Sequence, residues 1–270
     1  MDTAVRNSAA APMNLSVVRW IGFKTIVIRE YDRIIRIWGQ TILPAAVTAT
    51  LYFVIFGNLI GRRVGSMGGV DYRQYIAPGL IMMQVISNSY GNVVSSFFGA
   101  KFGKHVEEML VSPLPSWIIV GGYATGGLVR GLLVGIAVSV VSLVFTHLPV
   151  QHPLIIVAAV VLASLTFSLA GFLNALFAKN FDQVNWIPVF ILTPLNYFGG
   201  VFYSIQMLPD WARRVSFANP ILYMVNAFRY GFLGNSDVHI GLSFVLMTAT
   251  VLVLFAIAVL LMERGTGIRD

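Results

Sequence analysis

Residues 101–108 read Lys-Phe-Gly-Lys-His-Val-Glu-Glu and crowd two lysines, a histidine and two glutamates into eight positions of a chain that is only 11% charged. Nucleotide chemistry is the first reading to test. A phosphate loop needs G-x-x-x-x-G-K-[ST], in which backbone N–H groups cradle phosphate and the hydroxyl holds magnesium. The nearest string, Gly99-Ala-Lys-Phe-Gly103-Lys104-His105, is one residue short between its glycines and puts histidine where the hydroxyl is needed. No nucleotide site is expected on this chain. Neither H-E-x-x-H nor G-x-S-x-G occurs, and with no cysteine there is no disulfide, thiolate ligand or cysteine nucleophile. His147 and His152 flank one short turn, a spacing that polar residues at an interface explain without a metal. The chain is therefore not expected to be an enzyme by itself, nor to bind a cofactor or metal.

The elements that must carry this cluster are greasy. Of 270 residues, 57% are hydrophobic, against roughly 45–50% in a soluble domain. A span of the hydrocarbon core needs about 20 mostly apolar residues. Six runs qualify, at 38–60, 74–100, 116–146, 153–178, 186–203 and 240–262. Barrel strands would alternate in units of about ten residues, and these runs do not. The predicted fold class is an all-α integral membrane protein. Residues 1–37 form an N-terminal segment, 38–262 a six-helix transmembrane domain and 263–270 a tail. Residues 1–14 lack the apolar core of a signal peptide, so the N-terminus is expected to be retained.

The formal charge of +7 does not point to nucleic acid, because the basic residues lie between apolar runs and at the termini. One side holds eleven of them (Arg6, Arg19, Lys24, Arg29, Arg33, Arg36, Lys101, Lys104, Lys179, Arg264 and Arg269), and the other six (Arg62, Arg63, Arg73, Arg213, Arg214 and Arg229). The positive-inside bias then places both termini in the cytoplasm. Segment 14–38 carries too many charges to span. Wound as a helix, it sets Val17, Trp20, Ile21, Val27, Ile28, Tyr31, Ile35 and Trp38 opposite Arg19, Arg29, Arg33 and Arg36, with Lys24 snorkelling from the apolar side. That is the pattern of a helix lying in the headgroup plane.

Proton- or sodium-coupled transport usually needs a carboxylate at membrane depth. None of the six runs contains one, which weighs against an ion-coupled secondary transporter, the alternative reading of the chain. Uncharged polar residues remain. Asn88, Asn92, Asn174, Asn196 and Tyr197 either line a substrate path or join helices by hydrogen bonds. Gly122, Gly126, Gly127, Gly131 and Gly135 give three four-residue spacings, which suit close packing within the chain or a dimer seam. Arg130 is either a functional charge or an anchor bonding loop carbonyls. The connector 204–239 is too apolar for a solvated loop. Leu208, Trp211 and Val215 recur at helical spacing there, and Asn219-Pro220 reads as a helix start leading to Arg229.

In the 101–108 cluster and its continuation, a helix over 101–110 would place Phe102, Val106, Met109 and Leu110 on one face. Lys101, Lys104, His105, Glu107 and Glu108 would cover the rest, and Pro113 and Pro115 would stop it. This is either a plain interfacial turn or a peg that docks in a partner's groove. Element order and particular strings then carry a resemblance. RIWGQTILPAAVTATLYFVIFGNLIG (36–61), YIAPGLIMMQVISNSYGNVVSSFFGAKF (75–102), EEMLVSPLP (107–115), LTPLNYFGGVFYSIQMLP (192–209) and NPILYMVNAFRYGFLG (219–234) resemble the small bacterial inner-membrane permeases of ABC-2 type exporters. The resemblance implies a homodimer in the inner membrane with two separate ABC ATP-binding subunits beneath it. ATP and magnesium would be held by those subunits. Phe102, Lys104, His105, Val106, Glu107, Glu108, Met109 and Leu110 would form the coupling helix, braced by the N-terminal helix. Export of a polysaccharide, lipid-linked molecule or hydrophobic drug would follow, past the connector helices, with membrane lipid as the other partner.

Overall fold

The computed structural model describes residues 15–267, and within them the chain is almost wholly helical. Helix α1 (Leu15–Arg36) leads into α2 (Trp38–Tyr52), a π segment (Phe53–Ile60) and α3 (Gly61–Val64), which run on as one rod. A two-residue hairpin pairs Ser66–Met67 with Val70–Asp71. Its turn, Gly68-Gly69, has φ of +60° and +81°, a geometry that glycine adopts without penalty. Asp71 then caps α4 (Tyr72–Phe102), its carboxylate accepting from the Arg73 N–H at 2.8 Å. Next come α5 (His105–Val111), α6 (Ser116–Phe145) and α7 (Pro153–Phe177). After these, α8 (Phe181–Ile187), a second π segment (Pro188–Leu192) and α9 (Thr193–Phe198) form a short broken rod. The connector winds into α10 (Asp210–Phe217) and α11 (Pro220–Leu233), and α12 (Ile240–Glu263) closes the fold.

Helix α4 is the axis, packed most extensively against α7 and α6. Most of its side chains are buried, polar ones included. Among the described residues, four helical rods are long and apolar enough to cross a membrane: Trp38–Val64, Ser116–Phe145, Pro153–Phe177 and Ile240–Glu263. The expected second run is the 31-residue α4. It lacks the hydropathy of the other four because protein, not lipid, surrounds it, so Gln84, Ser89 and Asn92 are tolerated on its buried surface. The expected fifth run, 186–203, is not one continuous span. Its helix starts earlier, at Phe181, passes through the π segment and stops at Phe198.

The glycines of α6 serve contacts inside the chain. A Cβ at Gly122 would meet Ile26 of α1, one at Gly126 would meet Glu30, and one at Gly127 would collide with Ser168 of α7 and Val93 of α4. One at Gly131 would strike Ser89 and Ser164. Two faces of α6 are thus stripped of side chains, one for α1 and one for the α4–α7 pair, which decides for packing within the chain at these positions. Gly127→Val is accordingly expected to destabilise the fold by roughly 1–3 kcal/mol, the usual cost of overpacking. A Cβ at Gly91 meets nothing within 4 Å, so Gly91→Ala should leave the melting midpoint unchanged or raise it. Equal midpoints for Gly127→Val and wild type would refute this packing role.

Candidate functional site

Two neighbouring features at one end of the bundle bear on function, and a third lies at the connector. The first is the α4–α5 corner. Lys101 Nζ donates to the carbonyls of Leu176 and Ala178 at 2.7 and 2.8 Å, tying the end of α4 to the unpaired end of α7. Gly103 and Lys104, the latter left-handed at φ +60°, then break the chain out of α4. The expected continuous helix over 101–110 does not form. Phe102 ends α4, and a separate helix starts at His105. Glu107 and Glu108 sit in its first turn, where the helix dipole favours acid. Ser112 Oγ donates to the Met109 carbonyl at 2.6 Å as the helix ends.

The apolar residues of this corner divide in a way the single-face reading did not anticipate. Val106 is 1% exposed. It joins Met109 and Leu110 in packing on the chain's own core, beside Phe98, Ile119 and Phe172. Val106 is thus spent on the chain's own core, and Met109 and Leu110 are partly buried against it. Phe102 remains 66% and Val111 88% exposed, and Lys104, His105, Glu107 and Glu108 are also exposed. Phe102 stacks loosely on Phe98 and Phe181, with ring centroids 6.2 and 5.3 Å away. The corner therefore presents a firmly rooted, solvent-facing ridge with an apolar tip at Val111 and two carboxylates beside it.

The second feature is a buried polar hub that sequence reasoning missed. Helix α1 has three faces, not two. Val17, Trp20, Ile21, Ile28, Tyr31 and Ile35 point away from the bundle, as the amphipathic reading expects of a lipid-facing stripe. A separate stripe, Gly22, Ile26, Glu30 and Ile34, recurs every four residues and faces inward, Ile26 and Glu30 against the glycines of α6 and Gly22 against Leu114. Glu30 is fully buried. Its carboxylate accepts from Arg33 at 3.1 Å, Asn92 Nδ2 at 3.3 Å and Ser96, with Arg29 at 3.8 Å. Arg33 also donates to the Asn92 side-chain and main-chain oxygens at 2.7 and 3.0 Å. Arg29 donates to the Tyr123 hydroxyl of α6. Three helices meet through one carboxylate. The clue was Glu30 itself, an acid on the inward face of a basic helix.

At the connector, Asn219 caps α11 as its sequence predicts, accepting from the Ile221 N–H at 3.0 Å, and it also donates to the Leu195 carbonyl at 2.6 Å. Arg229 is 1% exposed. It donates to the carbonyls of Gly200 and Tyr75 at 2.7 and 3.2 Å, and its guanidinium lies 4.0 Å from the Tyr75 ring centre. Arg229 thus ties the Gly200 turn to the first turns of α4, and Arg213 also holds main-chain carbonyls, those of Ile205 and Gln206; no such bond is made by Arg130 among the described residues. Arg130 reaches Asn88 Oδ1 at 3.4 Å.

The five residues expected along a substrate path are not brought together. Asn92 belongs to the Glu30 hub, and Asn88 donates to the Gln84 carbonyl at 3.0 Å while facing Arg130. Asn174 donates to the Val184 carbonyl at 3.0 Å and so joins α7 to α8. Asn196 is buried in α9 beside the half-exposed Tyr197, whose hydroxyl lies 3.4 Å from that of Tyr52. They lie in three separate places, and the Asn196 side-chain oxygen has no hydrogen-bond partner among the described residues.

Comparison with known proteins agrees with this architecture. The family model described as ABC-2 type transporter matches residues 21–233. The chain is 49% identical over 251 residues to the inner membrane transport permease YadH of Escherichia coli K12, covering 93% of this chain and 98% of that protein. More distantly, it is 20% identical over 231 residues to nodulation protein J of Neorhizobium galegae, covering 83% and 88%. It is 22% identical over 228 residues to nodulation protein J of Rhizobium leguminosarum bv. viciae, covering 83% and 87%.

Proposed function

The chain belongs to the ABC-2 type transporter family and is a multi-pass membrane permease subunit, and from that premise we propose that it works in the inner membrane and exports an amphipathic or lipid-linked substrate on energy supplied by separate ATP-binding subunits. The observation that carries the proposal is the α4–α5 corner. A permease without a phosphate loop of its own takes its energy through contact, and this ridge has the form for it. Val106, Met109 and Leu110 root α5 in the bundle, so that a push on Val111, Glu107 or Glu108 is delivered to α4, α6 and α7. Helix α1 reaches the same corner, where Gly22 lies against Leu114.

In this reading α5 is the coupling helix, both termini are cytoplasmic, and α4 and the α8–α9 rod complete six spans. Two copies pair, with two ABC ATP-binding subunits beneath them that hold ATP and magnesium. The test is co-purification of the tagged permease, expressed with its neighbouring genes and followed for an ABC ATP-binding subunit. Wild type is expected to retain that subunit. The Glu107→Ala/Glu108→Ala pair, or Phe102→Asp, is expected to lose it or to uncouple ATP hydrolysis from transport while the permease stays monodisperse. Retention and coupling untouched by every substitution would remove α5 from the role, and a well-folded wild type that never holds the subunit would sink the exporter reading.

A further inference from the structure

Between α1, α4 and the start of α5 lies a cavity of about 440 Å³, lined by Arg29, Arg33, Arg36, Ser95, Ser96 and His105, with Glu30 at its back and Gly99 and Ala100 on its wall. Three features of this cavity bear on what it holds. The first is charge. Three guanidiniums face one carboxylate, and Glu30 already accepts from Arg33, Asn92 and Ser96. The hub is thus over-supplied with cations, and the Arg36 side chain makes no hydrogen bond or ion pair among the described residues. The second is register. Arg29, Arg33 and Arg36 fall at i, i+4 and i+7, so one face of α1 aims all three into the same space. The third is location. The same helix exposes Trp20, Ile21, Ile28, Tyr31 and Ile35 on another face, as a helix does when it lies where headgroups lie.

A cavity that is open, lined by arginine forks and hydroxyls, and set at headgroup depth suits a tetrahedral anion that can accept several N–H bonds at once. We infer that this cavity binds the phosphate group of an anionic lipid in the leaflet on the α5 side, with Arg36 as principal donor and Arg33 beside it; the Ser95 and Ser96 hydroxyls form the wall and donate to the Asn92 carbonyl and to Glu30. The bound phosphate offsets the charge that Glu30 leaves uncompensated, and it pins α1 to α4 next to the α5 ridge. The site stands whether or not an ATPase docks at that ridge, because nothing in it uses α5 beyond His105.

Gly99 provides a clean probe. It lines the cavity, and a Cβ there meets nothing within 4 Å. Gly99→Leu therefore fills the space without colliding with the fold, and Arg36→Gln removes a donor that holds nothing else. The experiment is native mass spectrometry of the full-length protein in detergent, titrated separately with phosphatidylglycerol, phosphatidylcholine and inorganic phosphate. Wild type is expected to retain phosphatidylglycerol in preference to phosphatidylcholine. Arg36→Gln should weaken retention about fivefold, since one basic residue near a lipid surface contributes ~1 kcal/mol. Gly99→Leu should weaken it at least as much, and millimolar inorganic phosphate should not displace the lipid. Unchanged retention in both variants, each with a wild-type melting midpoint, overturns the site. If Gly99→Leu does not fold, Arg36→Gln decides alone. Equal retention of phosphatidylcholine would mark a plain acyl-chain slot, and displacement by inorganic phosphate would mark a soluble-anion site. Either result overturns the lipid assignment.

Discussion

Glu30→Ala is expected to destabilise the folded protein by roughly 3–5 kcal/mol, the range for removing one partner of a buried ion pair. The carboxylate sits fully buried at the meeting point of α1, α4 and α6. Without it, Arg33 and Asn92 keep each other but lose their shared acceptor, and Arg29 loses its nearest anion, 3.8 Å away. Ser96 loses its acceptor too. Glu30→Gln keeps the volume and part of the hydrogen bonding and is expected to cost less, roughly 1–3 kcal/mol. Combining Glu30→Ala with Arg33→Met should recover part of the loss, because the stranded cation goes with its anion. A double-mutant cycle on thermal melting in detergent measures that coupling. A single variant melting with wild type, or strictly additive losses, would show that the hub contributes no stability through its charges.

The second large effect is expected at Arg229. Arg229→Met removes the donor to the Gly200 and Tyr75 carbonyls; Tyr75 keeps its acceptor role within α4, and the Gly200 carbonyl left bare costs roughly 1–3 kcal/mol. Close by, Asp237 accepts from Ser204 Oγ at 2.9 Å and from the Ile205 N–H at 3.2 Å, so the turns at 199–207 are held from two sides. Loss of one side should expose them. Limited proteolysis between residues 199 and 219 is expected to accelerate markedly in Arg229→Met. Arg229→Lys should fall between, since a single ammonium cannot span both carbonyls as the guanidinium fork does. Wild-type cleavage rates and a wild-type melting midpoint in Arg229→Met would end the anchor assignment.

What the sequence disclosed, and what it hid, follows the range of the forces involved. Caps and stops are local, so Asn219-Pro220 announced α11, and the apolar runs announced the long rods. The glycine spacing of α6 announced close packing, though not which helices it would admit. Partners distant along the chain stayed hidden. Arg229 meets carbonyls 29 and 154 residues away, so its role passed to Arg130, the charge that looked most out of place in an apolar run. Glu30 escaped because a two-faced wheel of α1 has room for lipid and water only, whereas the real helix also has a protein side. The α5 corner was found, but its apolar residues were read as outward-facing. A periodic pattern reports that a face is apolar and does not report which neighbour it meets. The break after Phe102 rests on one left-handed residue, Lys104, for which the sequence offered only Gly103 as a cue.

The two π segments have a consequence for how this chain can change by descent. Phe53–Ile60 and Pro188–Leu192 lie in the two rods whose tyrosines Tyr52 and Tyr197 approach each other. A π turn holds more residues than an α turn, so each stretch acts as a ready-made reserve of chain length. A one-residue deletion within 53–60 can be absorbed by rewinding to an α-helix. An equal deletion in the tightly packed α4 has no such outlet and would turn every later side chain by about 100°, the angle per residue of an α-helix. Insertions and deletions among descendants of this gene are therefore expected to collect at these two stretches and to spare α4.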